Sequence, residues 1–246
     1  MPNSSQRQAD IGLSLLQWFR DEVEQYELLP AVARFFAIFW EFLRQSMPDR
    51  RRQRYGDLDY DWDHRVDTTG ATVGWRERLL GLFHSAYQPT DPVLFREMMG
   101  NLEIDFREFV FIDIGSGKGR VLLMAADYPF RRVLGVELFP GLHQVAQHNI
   151  QKYKSDSQRC FAIDSICGDA CDFAFPPDPL LLYLFNPLPE AGLVKLLRNM
   201  EASLREYPRV VYVLYHNPLL EHVLERCTLL KKIMGTHQYS IFADNM

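Results

Sequence analysis

From residue 109 onward the chain alternates two hydrophobic patterns. Short apolar runs rich in β-branched and aromatic residues, at 110–114, 132–137, 160–167, 180–185 and 210–215, read as inner strands covered on both faces. Stretches with helical spacing separate them at 118–127, 140–153 and 189–206. Two last strands are expected near 227–233 and 237–242, on either side of a turn at Gly235. Strands alternating with helices imply a parallel sheet joined by right-handed crossovers.

The first third follows another pattern. Residues 11–47 are rich in Leu, Phe and Trp, and Pro30 divides them into two expected helices. Glu27, Arg34, Glu41 and Arg44 interrupt the apolar stretch, whose uncharged core at 35–40 falls far short of the roughly 20 residues of a membrane span. A helical cap is one reading. Phe35, Phe36, Phe39, Trp40 and Phe42 also fit a helix pair that docks a partner protein or a membrane surface.

Arg50, Arg51, Arg52 and Arg54 precede an acidic aromatic run of Asp57, Asp59, Tyr60, Asp61, Trp62 and Asp63. The charges read as a solvated linker in which they answer each other, or as a segment that recognises phosphate or substrate. Gly56, Gly70 and Gly74 make 50–74 a candidate mobile lid, and 75–83 has helical spacing. The expected division is an N-terminal helical cap and loop region at 1–86 and a second domain at 87–246.

Composition narrows the class. Hydrophobic residues make up 47% of the 246, enough for a substantial core, and the net charge of −5 excludes a whole-molecule attraction to nucleic acid phosphates. Residues 1–10 lack the charged start and apolar core of a secretory signal, which implies a cytoplasmic location. Cys160, Cys167, Cys171 and Cys227 show no Cys-x-x-Cys spacing, so core packing is expected and no metal site.

The chemistry concentrates at the end of the first strand, in Asp113-Ile114-Gly115-Ser116-Gly117-Lys118-Gly119. Alternate glycines allow a sharp turn, positive φ and close backbone approach to a ligand. The spacing is neither of two common phosphate loops. A dinucleotide fingerprint needs its third glycine where Arg120 stands, and a P-loop needs Ser or Thr where Gly119 stands. Asp113 and Glu137 fall at the carboxyl ends of the first two strands, the edge along which open α/β sheets bind ligands.

This stretch resembles the first motif of the class I S-adenosylmethionine-dependent methyltransferases, a strand ending Asp-x-Gly-x-Gly-x-Gly. The likeness continues at Val133-Leu134-Gly135-Val136-Glu137 and at Gly168-Asp169-Ala170, so it covers roughly the last two thirds of the chain. It implies a Rossmann-like fold: a seven-stranded, mostly parallel sheet with an antiparallel last strand and helices on both faces. It also implies S-adenosylmethionine as cofactor, held at Asp113, Gly115, Ser116, Gly117, Lys118, Gly119, Glu137, Leu138, Asp169 and Ala170.

In that reading Glu137 accepts from the ribose hydroxyls, Asp169 from the adenine amino group, and Asp113 orients the cofactor's amino group. Lys118 suits its carboxylate. A Tyr-x-x-Thr segment before the domain's first helix places Tyr87 and Thr90 over the methionine end, while Asp91 or Thr90 also reads as a simple helix cap.

The fourth strand ends Leu184-Phe185-Asn186-Pro187-Leu188-Pro189, which puts Asn186 and Pro187 beside the transferable methyl. Pro187 biases Asn186 toward an extended backbone. That would aim the Asn186 carbonyl and side-chain oxygen at an amine. The segment is similar to the Asn-Pro-Pro-Tyr motif of nucleobase amino methyltransferases, but it lacks the aromatic on which a flipped base stacks. The core motifs also partly resemble lysine methyltransferases of the Dot1 type. His216, closing the fifth strand, is a candidate proton acceptor.

The expected activity is methyl transfer to a nitrogen of a protein or small molecule rather than of a nucleic acid. A non-catalytic cofactor-binding or partner-binding module and an O- or C-methyltransferase are the alternatives.

Overall fold

The computed structural model describes residues 58–69 and 89–244. The expected helices within 11–47 and at 75–83, the Arg50 to Arg54 cluster and Tyr87 lie outside the described residues. Those described fall in one compact unit, 57–71 with 87–246.

Two helices precede the sheet, α1 (Leu58–His64) and α2 (Pro92–Gly100). Asp91 caps α2 by accepting from the Val93 amide at 2.6 Å, and Pro92 occupies the first turn. There follow β1 (Val110–Ile114), α3 (Arg120–Ala125), β2 (Arg132–Glu137), α4 (Pro140–Lys152), β3 (Ile163–Cys167) and β4 (Leu180–Leu184). The chain then forms α5 (Glu190–Glu206), β5 (Val211–His216), α6 (Glu221–Glu225), β6 (Leu230–Gly235) and β7 (Tyr239–Asp244).

The sheet order is β3-β2-β1-β4-β5-β7-β6. β1 to β5 are parallel, and β7 inserts antiparallel between β5 and β6. This is the expected seven-stranded, mostly parallel architecture. β1 and β4 are buried at every position, as their continuous apolar runs require.

Successive side chains leave opposite faces of a strand. Ile112, Ile114, Leu182 and Leu184 therefore pack with Leu193, Leu196 and Leu197 of α5 on one face. Phe111, Val133, Leu181, Tyr183 and Leu214 pack with Phe95 and Met98 of α2 and Leu122 of α3 on the other. Sheet order then brings the carboxyl ends of β1, β2, β4 and β5 to one edge, with β1 beside β4 where the order reverses.

Three expectations need correction. Part of the expected mobile lid, 58–69, is a packed element carrying α1 and a buried Tyr60, with Thr68 and Thr69 also buried. The acidic run there is not merely a solvated linker. Asp61 Oδ2 accepts from the Thr68 and Thr69 amides at 2.9 and 2.7 Å, which ties the segment into a closed turn. Of the cysteines, only Cys160 and Cys227 are buried; Cys167 is exposed and Cys171 intermediate.

Candidate active site

The turn after β1 is built on positive φ: 77° at Gly115, 53° at Gly117 and 84° at Gly119, values that an L side chain rarely adopts. Space is limiting as well. A Cβ on Gly115 would lie 2.7 Å from Pro187 Cβ, and one on Gly119 would lie 3.2 Å from Ala146 Cβ. The glycine turn is thus pressed between the end of β4 and helix α4.

Glu137, at the end of β2, is buried and clamps this turn. Its Oε2 accepts from the Gly117 amide at 2.7 Å and its Oε1 from the Phe139 amide at 2.8 Å. A carboxylate at this strand end is the kind of acceptor that a ribose diol would require. Leu138 is 42% exposed beside it, an apolar surface at a ligand-binding edge. Beyond β3, Asp169 is exposed and Ala170 buried; Asp169 Oδ1 accepts from the Cys171 amide at 2.8 Å. These residues fit a nucleoside: a glycine cradle, a carboxylate for a diol, an apolar side chain for a ring and an acid at the ring's far end.

Asp113 lies in register with Gly135 of β2 and Tyr183 of β4. Its carboxyl is buried at 3% exposure, and burial, followed by the nearby Glu137 carboxylate, raises it well above the ordinary carboxylate range. Burial thus favours its protonated form, whereas a cation placed against it would favour the carboxylate.

Two expected cofactor contacts are otherwise occupied. The Lys118 side chain is fully buried and its Nζ donates to Asp67 Oδ1 at 2.8 Å. Asn149 of α4 closes the same cluster: its Nδ2 donates to the carbonyls of Asp67 and Lys118, and its Oδ1 accepts from the Asp67 amide. Arg120 stacks over the Tyr60 ring at 4.6 Å. The 58–69 segment therefore straps the start of α3. The Ser116 hydroxyl turns toward β2, into the space that the missing side chain of Gly135 leaves, and has no hydrogen-bond partner among the described residues. Only the main chain of Ser116 is left for a ligand.

The ends of β4 and β5 form a second polar group. Asn186 has φ +45° and Asn217 φ +47°, so the extended backbone expected for Asn186 is not what forms. The preference of a pre-proline residue is overridden by hydrogen bonds that Asn, tolerant of left-handed geometry, can make. Asn186 Nδ2 donates to the Asn217 carbonyl at 2.6 Å, while its Oδ1 accepts from the Tyr215 hydroxyl at 2.9 Å and the Leu219 amide at 3.4 Å. The carboxamide is committed to joining the two strand ends. Pro187 stands on Gly115.

His216 stacks on Phe185, ring centroids 3.9 Å apart. Its Nδ1 is 2.7 Å from the Tyr183 hydroxyl, which lies 2.9 Å from Thr90 Oγ1. Thr90, expected over the cofactor, is thus linked to His216. Burial lowers the imidazole to about 4, against a smaller upward pull from Asp91. Tyr183 joins these two residues and escaped the sequence reading; its one signal was a hydroxyl in an otherwise apolar inner strand.

A family model described as a methyltransferase domain matches residues 112–181, from β1 into β4. No curated protein matches the sequence. Similar solved structures include an RNA methyltransferase from Salinibacter ruber in complex with S-adenosyl-L-homocysteine (18% identity, 63% of this chain, 91% of that one, TM-score 0.42). TrmN from Thermus thermophilus (19%, 63% and 49%, TM-score 0.44) is another. A third is a SAM-dependent methyltransferase from Leishmania major (11%, 63% and 70%, TM-score 0.45).

Proposed function

We propose that this chain is a class I methyltransferase using S-adenosylmethionine, and that it transfers the methyl group to a nitrogen of a protein or small molecule. Glu137, Leu138, Asp169 and Ala170 would hold the nucleoside, and Asp113 with the Gly115 to Gly119 turn the amino-acid end. Bound there, S-adenosylmethionine supplies a methyl group already activated for displacement, so no nucleophilic Ser or Cys is needed.

One observation carries the choice of nitrogen: His216, the side chain that closes β5, is a weak base. Burial lowers its imidazole to about 4, and its Nδ1 already faces the Tyr183 hydroxyl at 2.7 Å. A hydroxyl or carbon acid would need a stronger base during the transfer, whereas an amine that has first lost its proton to solvent attacks with its own lone pair and then needs only alignment. Phe185, stacked on His216, adds an apolar surface beside the imidazole, which would favour an uncharged amine over an ammonium. With the Asn186 carboxamide committed to the β5 turn, orienting an N–H falls to the main-chain carbonyls of the Phe185-Asn186-Pro187 turn.

In this proposal the expected cap at 1–86 would serve recognition, with Phe35, Phe36, Phe39, Trp40 and Phe42 as its docking positions, and a cytoplasmic location is part of the same reading. No described helix is long and apolar enough to cross a membrane. The test is transfer of labelled methyl from S-adenosylmethionine into fractionated cell extract, followed by acid hydrolysis. Label recovered as N-methyl amine is the expected result; label in methyl ester, methyl ether or C-methyl products would overturn the nitrogen assignment.

A further inference from the structure

The buried chain Thr90, Tyr183, His216 has a direction that its protons decide. The three groups lie 2.9 and 2.7 Å apart, Thr90 is 2% exposed and Tyr183 1%. If the imidazole donated from Nδ1 to Tyr183 and Tyr183 to Thr90, the Thr90 proton would be left buried, because Thr90 Oγ1 has no other partner among the described residues. An unmade buried hydrogen bond of that kind is disfavoured, because the donor gives up water and gains no acceptor in exchange. In the opposite direction Thr90 donates to Tyr183, Tyr183 donates to Nδ1, and every buried hydroxyl proton has an acceptor. The single N–H proton of the neutral imidazole must then reside on Nε2, which has no partner among the described residues.

We propose that Thr90 and Tyr183 are positioning residues that hold His216 as its Nε2–H tautomer, so that the end of β5 offers the methyl acceptor a neutral hydrogen-bond donor. The acceptor-facing half of this rests on the methyltransferase reading above. It also defines the acceptor further. A donor spent on the attacking nitrogen would occupy the lone pair needed for methylation, so Nε2–H is matched to a different atom. The substrate is therefore an amine that carries a carbonyl or carboxylate oxygen near its nucleophilic nitrogen, as amino acids and peptides do.

The tautomer is read from long-range ¹H–¹⁵N correlation spectra of protein labelled at histidine, recorded at neutral pH without cofactor or acceptor. The chain has seven histidines, and loss of one set of signals in His216→Gln assigns this one. The expected spectrum shows a protonated Nε2 and a bare Nδ1, and Tyr183→Phe shifts the population toward a mixture. A protonated Nδ1 in the wild-type protein, or an unchanged spectrum in Tyr183→Phe, overturns the proposal. The wild-type spectrum decides the tautomer whatever the stability of the variant. Failure of the same sample to bind S-adenosylhomocysteine would remove the acceptor-facing half and leave the tautomer standing.

Discussion

Asp113 and His216 sit on neighbouring parts of one edge and are both drawn toward the neutral form for the same reason, desolvation, which pushes an acid up and a base down. Each gives a pH signature. A cationic ligand group placed at Asp113 favours the carboxylate, so cofactor binding should release a proton and tighten as pH rises through the acid's titration. Calorimetric titrations in two buffers of different ionisation heat would show it; identical heats would separate Asp113 from the cofactor. For His216 the unfolded imidazole titrates near 6.5 and the folded one near 4, so the unfolded state binds more protons between those values. Stability is fully present above pH 6.5 and lost as pH falls toward 4, by an amount on the order of 3 kcal/mol. Urea melts of wild type and His216→Gln across that range should show the slope in the first and its loss in the second. Asp113 and the glycines could be picked out in the sequence because they form a contiguous motif, and Glu137 because it ends the next apolar run. Tyr183 and the committed carboxamide of Asn186 were not, since their partners lie 33 and 29 residues away or more.

At the scale of elements, the turn between β1 and α3 is held open by the end of β4. Gly115→Ala combines an adverse φ of +77° with a Cβ 2.7 Å from Pro187 Cβ. The expected loss is about 2 to 4 kcal/mol in a urea melt, from left-handed strain and overpacking together, with weaker cofactor binding as Pro187 is displaced. A variant as stable as wild type would mean that the turn is not gripped by β4. Strand and helix positions followed from local pattern, with ends corrected by a residue or a few. β3 begins at Ile163 instead of 160, because the Arg159 and Cys160 amides are drawn to the Ala126 carbonyl. The 58–69 strap was invisible for a related reason. Its acids looked solvated until Lys118, Arg120 and Asn149 were brought beneath them by the fold.

At the scale of the molecule, the sheet order places a nucleoside-shaped set of residues at the ends of β1 to β3 and a neutral polar group at the ends of β4 and β5. The parallel order was legible from alternating strands and helices, and the antiparallel seventh strand from the resemblance alone. That division of labour rests on Glu137. Titration of S-adenosylhomocysteine into wild type, Glu137→Ala and Glu137→Gln is therefore the measurement that bears on it most directly. Binding to wild type is expected, weakened by about 1 to 3 kcal/mol in Glu137→Ala as the charged acceptor is lost, with Glu137→Gln between them and no binding of NAD or ATP. Absence of binding to wild type, binding of NAD in its place, or equal affinity in Glu137→Ala would contradict the account.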